Sequence, residues 1–194
     1  MILIPAYLPP ISYFKSVINQ NKLSICINTN YQKQTFRNRC IIYGANGLHK
    51  LTIPITNNSR VKKDKDVTIH NEMQWQKNHW RAIESAYKSS PFFEYYQDEL
   101  APFFFKKQKF LFDFNFKILI QIFNFLNTSI EINETNQIDD ISKLNQILNP
   151  KKASTDYKPY NQVFIEKNGF QSNLSIIDVL FNLGPETLDY IRSL

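Results

Sequence analysis

The order of hydrophobic patterns in the first 27 residues constrains the fold more than any other feature of this chain. Residues 2–4 are apolar and lead into a pair of prolines, apolar residues then recur at helical spacing from Ile11 to Ile18, and residues 23–27 alternate apolar with small side chains. Strand, helix and strand in so short a stretch favour a parallel pair of strands with a helix packed on the sheet. We therefore predict an α/β fold that opens with a βαβ-type unit.

The rest of the chain predicts a few short strands followed by a mostly helical half. Strand patterns recur at residues 40–43, 51–55 and 67–69, and helical spacing appears at residues 75–86, 92–106 and 113–126. A chain of 194 residues is long enough to bury one core. We predict a single domain with a mixed sheet, in which residues 1–126 form the core, residues 127–158 a polar connection with a short helix at 141–148, and residues 159–194 a helical tail.

Several classes of protein lack their usual sequence signals here. The two cysteines, Cys26 and Cys40, have neither the number nor the spacing of a disulfide framework or a zinc site. The apolar start lacks a basic region, so we expect no signal peptide. The hydrophobic stretch at 110–126 carries Asp113 and Lys117, so we expect no membrane span. These features predict a cytoplasmic protein, and no dinucleotide, P-loop or metal motif identifies a cofactor.

Positive charge is concentrated in the N-terminal third. Residues 1–66 hold ten Lys or Arg against two Asp or Glu, whereas residues 113–194 hold seven against ten. This polarity predicts an anionic partner, either a small molecule bearing phosphate or carboxylate or a nucleic acid. The alternative is a lysine-rich composition whose charges are merely solvated, although a compositional bias does not explain why the excess lies in one third.

The strongest anion-binding pattern is Arg37-Asn38-Arg39, with Lys33 shortly before it. Guanidinium groups bind phosphate and carboxylate bidentately, and an amide side chain adds one donor and one acceptor. The tyrosines of the same third would wall a pocket beside these residues, and they are Tyr7, Tyr13 and Tyr31. The alternatives are a solvent-facing basic loop and tyrosines that belong to the core.

His79 is the most informative titratable residue because it lies one helical turn from Trp75 on an otherwise apolar helix face. A buried imidazole there would act as a general acid or base, and we take His79 and Lys33 as the candidate catalytic residues. A single histidine on such a face is also typical of a core residue whose ring nitrogens are satisfied.

Taken together, the spaced motifs of residues 1–126 resemble the WbqC-like family. The motifs are Tyr7-Leu8-Pro9-Pro10-Ile11-Ser12-Tyr13-Phe14, Tyr31-Gln32-Lys33, Phe36-Arg37-Asn38-Arg39, Leu51-Thr52-Ile53-Pro54-Ile55, Trp75-x-x-x-His79 and Tyr87-x-x-x-Pro91-Phe92-Phe93. The tail resembles that of some members through Leu174-Ser175-Ile176-Ile177-Asp178. The residues that the resemblance singles out, without assigning them roles, are Tyr7, Pro10, Lys33, Arg37, Asn38, Arg39, Trp75, His79 and Tyr87.

The resemblance implies a bacterial role in surface-polysaccharide biosynthesis, with transfer of a small acyl or aminoacyl group onto an amino sugar as the reaction class. Two other hypotheses remain open from the residues themselves. The first is a basic nucleic-acid-binding module, and the second is a non-catalytic partner subunit that docks through aromatic residues between 92 and 105. The oligomeric state is not indicated by any pattern.

Overall fold

Five strands and eight helices are found in the computed structural model of the protein, which describes residues 1–56, 63–128, 130–136, 145–151 and 157–194. The strands are β1 (Ile2–Leu3), β2 (Lys22–Cys26), β3 (Arg39–Gly44), β4 (Gly47–Thr52) and β5 (Glu131–Thr135). The helices are α1 (Ile11–Val17), α2 (Trp75–Tyr87), α3 (Phe93–Leu100), α4 (Pro102–Phe105), α5 (Leu111–Phe125), α6 (Ile165–Asn168), α7 (Ile176–Leu183) and α8 (Thr187–Arg192). Short 3-10 turns occur at Asp64–Asp66, Asn71–Met73 and Gly184–Glu186.

The predicted α/β class and its βαβ-type opening are confirmed. Strands β1 and β2 pair in parallel with Ile2 opposite Ser24, and α1 connects them with its apolar face buried. Strand β5 adds to the other side of β2, also in parallel, which gives the order β1-β2-β5. A separate antiparallel hairpin is formed by β3 and β4, so the described residues contain both parallel and antiparallel pairing.

Strand β5 lies within the segment that the sequence indicated as a polar connection. Three of its five residues are exposed and the other two are only partly buried, and two are glutamates, so no apolar pattern marks the strand. Its backbone is held by a continuous register with β2, from Lys22 opposite Glu131 to Cys26 opposite Thr135. The short helix predicted at residues 141–148 falls partly outside the described residues, which are helical at 145–147.

The helices follow the predicted faces. In α2 the buried side chains include Trp75, His79 and Ile83, which recur every fourth residue as the sequence indicated. The predicted helix over 92–106 is divided into α3 and α4 before Pro102, because proline is tolerated only in the first turn of a helix. No helix in the described ranges combines the length and the apolarity needed to cross a membrane.

The segment at residues 174–176 forms hydrogen bonds both with residues 8–11 and with β3. The Leu174 carbonyl accepts a hydrogen bond from Ile11 N at 3.0 Å, and Ile176 N donates to the Pro9 carbonyl at 2.9 Å. Ser175 N donates to the Ile41 carbonyl at 2.9 Å, while its hydroxyl donates to the Leu8 carbonyl at 2.8 Å. These bonds hold the segment that follows β1 and the middle of β3 in one layer.

Gly184 ends α7 in a conformation that a side chain would not fit. Its φ is +54°, and a Cβ atom built on it would lie 2.5 Å from the ring of Phe92. We expect Gly184→Ala to destabilise the protein by about 2–4 kcal/mol, because strain from the positive φ adds to overpacking against the ring. Urea unfolding of both variants measures this effect against Gly169→Ala, where φ is +74° and the added Cβ meets nothing within 4 Å. Equal losses in the two variants would show that contact with Phe92 is not a factor.

Candidate functional site

Most residues that the sequence singled out lie around the start of β3. The segment after β1 reaches this point through a hydrogen bond from Tyr7 N to the Phe36 carbonyl at 2.9 Å. Arg39 begins β3 opposite Thr52 of β4, and Asn38 continues the pairing one residue earlier by accepting from Ile53 N at 2.7 Å. Helix α2 positions Trp75 and His79 in the same region of the molecule.

Arg37 is buried and its charge is neutralised within the protein. Its Nε lies 2.9 Å from Asp64 Oδ1, and the two side chains are only 2% and 5% exposed. The other carboxylate oxygen of Asp64 accepts a hydrogen bond from the Thr29 hydroxyl. The Arg37 guanidinium also donates to Thr35 Oγ1 at 3.4 Å and to Asn145 Oδ1 at 3.2 Å. The Arg37 side chain therefore connects its own segment of the chain to Asp64 and to Asn145.

Arg39 is placed differently, although it lies only two residues away. It is partly exposed, and its Nε is buried without a hydrogen-bond partner among the described residues. Within those residues no carboxylate pairs with it, so its charge is available in a way that the charge of Arg37 is not. The phenol of Tyr31 lies in the combined field of Arg37, Asp64 and Arg39, and burial raises its pKa to about 12. Arg39 and Tyr31 are thus both partly exposed, and the charge of Arg39 acts on the Tyr31 phenol.

Tyr7 and His79 form the second part of the site. The Tyr7 hydroxyl lies 2.9 Å from His79 Nδ1, and the pKa of Tyr7 is raised well above its usual value by burial. Tyr7 is therefore protonated and donates to Nδ1, which leaves the proton of a neutral imidazole on Nε2. Burial lowers the pKa of His79 to about 4, and a hydrogen bond to the Thr52 backbone opposes this shift.

Aromatic rings surround this hydrogen bond. The Trp75 ring lies 5.2 Å from His79 and 5.4 Å from Phe114, and Phe114 stacks on Tyr7 at 6.0 Å. The indole Nε1 of Trp75 is buried and has no partner among the described residues. The same holds for Asn38 Oδ1, whereas Asn38 Nδ2 donates to the Ile53 carbonyl at 3.0 Å. The described residues thus leave the hydrogen bonding of two buried polar atoms, Trp75 Nε1 and Asn38 Oδ1, incomplete.

Tyr87 belongs to a different network, centred on Asp178. This carboxylate is 1% exposed and accepts from Tyr87 at 2.9 Å, from Tyr160 at 2.5 Å and from Gln162 Nε2 at 3.0 Å. Tyr87 in turn accepts from the backbone of Tyr43 at 3.1 Å. Burial raises the pKa of Asp178 to about 6, although all three donors act in the opposite direction.

The remaining predicted site residues are distributed around this centre. The Tyr13 hydroxyl is buried and donates to the Ile4 carbonyl at 3.0 Å, and Pro10 forms a bridge with Ser175. Lys33 is exposed. The structure thus brings Tyr7, Trp75 and His79 into one cluster. Thr52, which bonds His79, connects this cluster to Arg39. Tyr13 and Tyr87 lie outside the cluster and form other hydrogen bonds.

Sequence reasoning missed the two buried acids. Asp64 is one of only two acidic residues in the first 66, and an isolated acid among ten cations is a signal for a specific partner. Asp178 occupies an otherwise apolar helical stretch, where a carboxylate is rare unless it is hydrogen-bonded. In the part of the chain that is described, no three His, Cys, Asp or Glu side chains are close enough together to hold a metal ion.

Comparison with known proteins places the chain in a family. The profile of the WbqC-like protein family matches residues 5–156 and 147–190. A relative from Mycobacterium tuberculosis (strain ATCC 25618 / H37Rv), the uncharacterized protein Rv1507c, is 26% identical over 220 residues, which span 96% of this chain and 94% of the relative. No solved structure matches the chain. The chain belongs to the WbqC-like protein family.

Proposed function

We propose that this protein is a cytoplasmic enzyme that binds an anionic small molecule at Arg39. The reaction class that we propose is transfer of an acyl or aminoacyl group in bacterial surface-polysaccharide biosynthesis, which is what the resemblance implies. The observation that carries the binding proposal is the Arg39 guanidinium, partly buried and without a carboxylate partner among the described residues. A cation that is partly removed from water gains most from an anionic ligand that replaces its lost hydration.

The contrast with Arg37 supports this choice. Both arginines begin as equal candidates in the sequence, but Arg37 is held by Asp64 and is only 2% exposed, so a ligand would have to break a buried ion pair to reach it. Arg39 needs no such rearrangement. The exposed side chain of Lys33 precedes this segment and would add positive charge at the rim of the site.

The hydrogen bonds of His79 support an orienting role in the same site. One ring nitrogen accepts from Tyr7, and the ring also bonds the backbone of Thr52, which is the strand partner of Arg39. His79 would thus fix the strand position opposite the ligand-binding guanidinium. Acceptance of a substrate proton at Nδ1 would require the Tyr7 hydroxyl to leave, because that nitrogen has one lone pair.

A binding experiment tests the proposal. We expect that at least one nucleotide sugar, acyl carrier thioester or phosphorylated sugar stabilises the protein in a thermal-shift screen, by about 2.7 kcal/mol at a hundredfold excess over Kd. We expect Arg39→Gln to weaken that ligand by about 10–150-fold, which corresponds to a lost charged hydrogen bond of about 1.5–3 kcal/mol. Isothermal titration calorimetry measures the difference.

The matched control is Lys50→Gln. Lys50 is exposed on β4 opposite Ile41, two positions along the hairpin from Arg39, so the substitution removes the same charge from a nearby point. We expect a change in Kd of less than about threefold for this variant. Equal weakening in both variants would indicate a diffuse field rather than a site at Arg39, and no weakening in either would exclude Arg39 as a ligand contact.

A basic nucleic-acid-binding module is the alternative function, and the charge of residues 1–66 favours it. It predicts an affinity for oligonucleotides that falls steeply with salt, because counterions are released on binding. The same titrations at two salt concentrations distinguish the two functions. The partner-subunit hypothesis would rest on Tyr95 and Phe105, which are 75% and 68% exposed.

A further inference from the structure

The buried pair of Arg37 and Asp64 borders a cavity of about the size of one water molecule. The cavity has a volume of 10 Å³ and is lined by the ion pair, Asn115 and the apolar side chains of Pro5, Leu111 and Phe112. A cavity of about 10–15 Å³ holds one water when two to four polar groups face it. The ion pair and Asn115 are the polar groups of this lining.

Asn115 lines this cavity and carries an acceptor that has no partner among the described residues. Its Nδ2 donates to the Arg37 carbonyl at 2.7 Å and lies 3.4 Å from the Pro5 carbonyl. Because both neighbours are acceptors, the amide nitrogen must face them, and the alternative assignment with oxygen and nitrogen exchanged is excluded. Oδ1 is then left buried in a side chain that is 1% exposed, with no partner among the described residues.

The ion pair offers both kinds of hydrogen-bonding group. A guanidinium has five N–H donors, and the hydrogen bonds to Thr35 and Asn145 account for two of those of Arg37, while its Nε forms the ion pair with Asp64. Each carboxylate oxygen of Asp64 has a second lone pair beyond its contact with Arg37 or Thr29. A free anion would be repelled by Asp64 and Asn115 Oδ1, and a cation by Arg37, so the lining suits a small neutral dipole.

We propose that one water molecule binds in this cavity, donates to Asn115 Oδ1 and the Asp64 carboxylate, and accepts from the Arg37 guanidinium. It adds one hydrogen bond to each member of the ion pair and connects α5 to the turn at Asp64–Asp66. Such waters are part of the structure, since they satisfy buried polar groups that would otherwise lack a hydrogen-bond partner. The proposal is independent of the function assigned to Arg39.

A crystal structure at about 1.5 Å or better tests the proposal directly. The expected result is one ordered water at hydrogen-bond distance, about 2.6–3.2 Å, from Asn115 Oδ1, the Asp64 carboxylate and the Arg37 guanidinium. A cavity without density, density for an ion, or a protein donor bonded to Oδ1 would each overturn it.

A second measurement counts the water in solution. Oxygen-17 magnetic relaxation dispersion of the wild type and of Asn115→Leu is expected to differ by one long-lived water, because leucine has a similar size and no acceptor. Asn124→Leu, an exposed position on the same helix, is expected to leave the count unchanged. An unchanged count in Asn115→Leu would overturn the proposal, and if that variant does not fold, the wild-type density decides.

Discussion

Replacement of Asp64 by alanine is expected to destabilise the protein by about 3–5 kcal/mol, because it leaves the charge of Arg37 buried and uncompensated. The ion pair is almost excluded from water, with the two side chains 2% and 5% exposed, so solvent cannot take over the role of the carboxylate. The hydroxyl of Thr29 loses its acceptor at the same time. Urea unfolding followed by circular dichroism measures the free energy of unfolding of each variant.

Removal of both charges is expected to cost much less than removal of one. In the double variant Arg37→Met with Asp64→Leu no charge remains buried, and apolar side chains of similar volume fill the space. We expect it to recover most of the stability that Asp64→Ala loses, and a double-mutant cycle with the single variants Arg37→Met and Asp64→Leu is expected to give a coupling energy of several kcal/mol. A double variant that is less stable than Asp64→Ala would show that the hydrogen bonds to Thr35 and Asn145 matter more than the buried charges.

The exposed pair of Lys22 and Glu131 is the control for this cycle. Its side chains are 61% and 64% exposed, and it joins neighbouring strands at a distance of 3.3 Å. Alanine at either position is expected to leave the free energy of unfolding almost unchanged, because water solvates the remaining charge. Losses of similar size for the exposed and the buried pair would contradict the argument from burial.

The ion pair also shows how far sequence reasoning could reach. Periodicity predicted α2 and its buried face because the spacing of Trp75, His79 and Ile83 is local information. The partner of Arg37 could not be found in this way, since Asp64 is 27 residues away and comes close only through the fold. Arg37 and Arg39 therefore remained equivalent in the sequence, although Arg37 is neutralised within the core and Arg39 is partly exposed without a carboxylate partner among the described residues.

Strand β5 could not be predicted from the sequence, for a related reason. It is stabilised by backbone pairing with β2, and its side chains contribute little burial. Sequence patterns detect the burial of side chains, whereas backbone hydrogen bonds of an edge strand are available to almost any residue. The prediction of a polar connection at residues 127–158 rested on composition, which could not indicate the strand within it.

Two buried titratable groups, Asp178 and His79, are expected to give opposite dependences of stability on pH. The pKa of Asp178 is raised from 3.8 to about 6, so the folded state binds this proton more tightly than the unfolded state. The resulting stabilisation is fully present below about pH 4 and is lost as the pH rises through 6. It is on the order of 3 kcal/mol.

The sign is reversed for His79. Its pKa is lowered from 6.5 to about 4, so the unfolded state binds this proton more tightly. The resulting stabilisation is fully present above about pH 6.5 and is lost as the pH falls through 4. Its size is again on the order of 3 kcal/mol. Because the two windows overlap, the two effects largely cancel in the wild-type protein between pH 4 and 6.

Single variants are expected to show the two pH dependences of stability that cancel in the wild type. The stability of the wild type relative to Asp178→Asn should decrease as the pH rises from 4 to 6, and its stability relative to His79→Gln should increase over the same interval. The double variant should give a profile parallel to that of the wild type within about 1 kcal/mol. Urea unfolding at intervals of half a pH unit measures these differences, and Asp189→Asn, at an exposed carboxylate, is the control. Profiles of Asp178→Asn and His79→Gln that both run parallel to the wild type would show that neither group titrates differently in the folded and unfolded states.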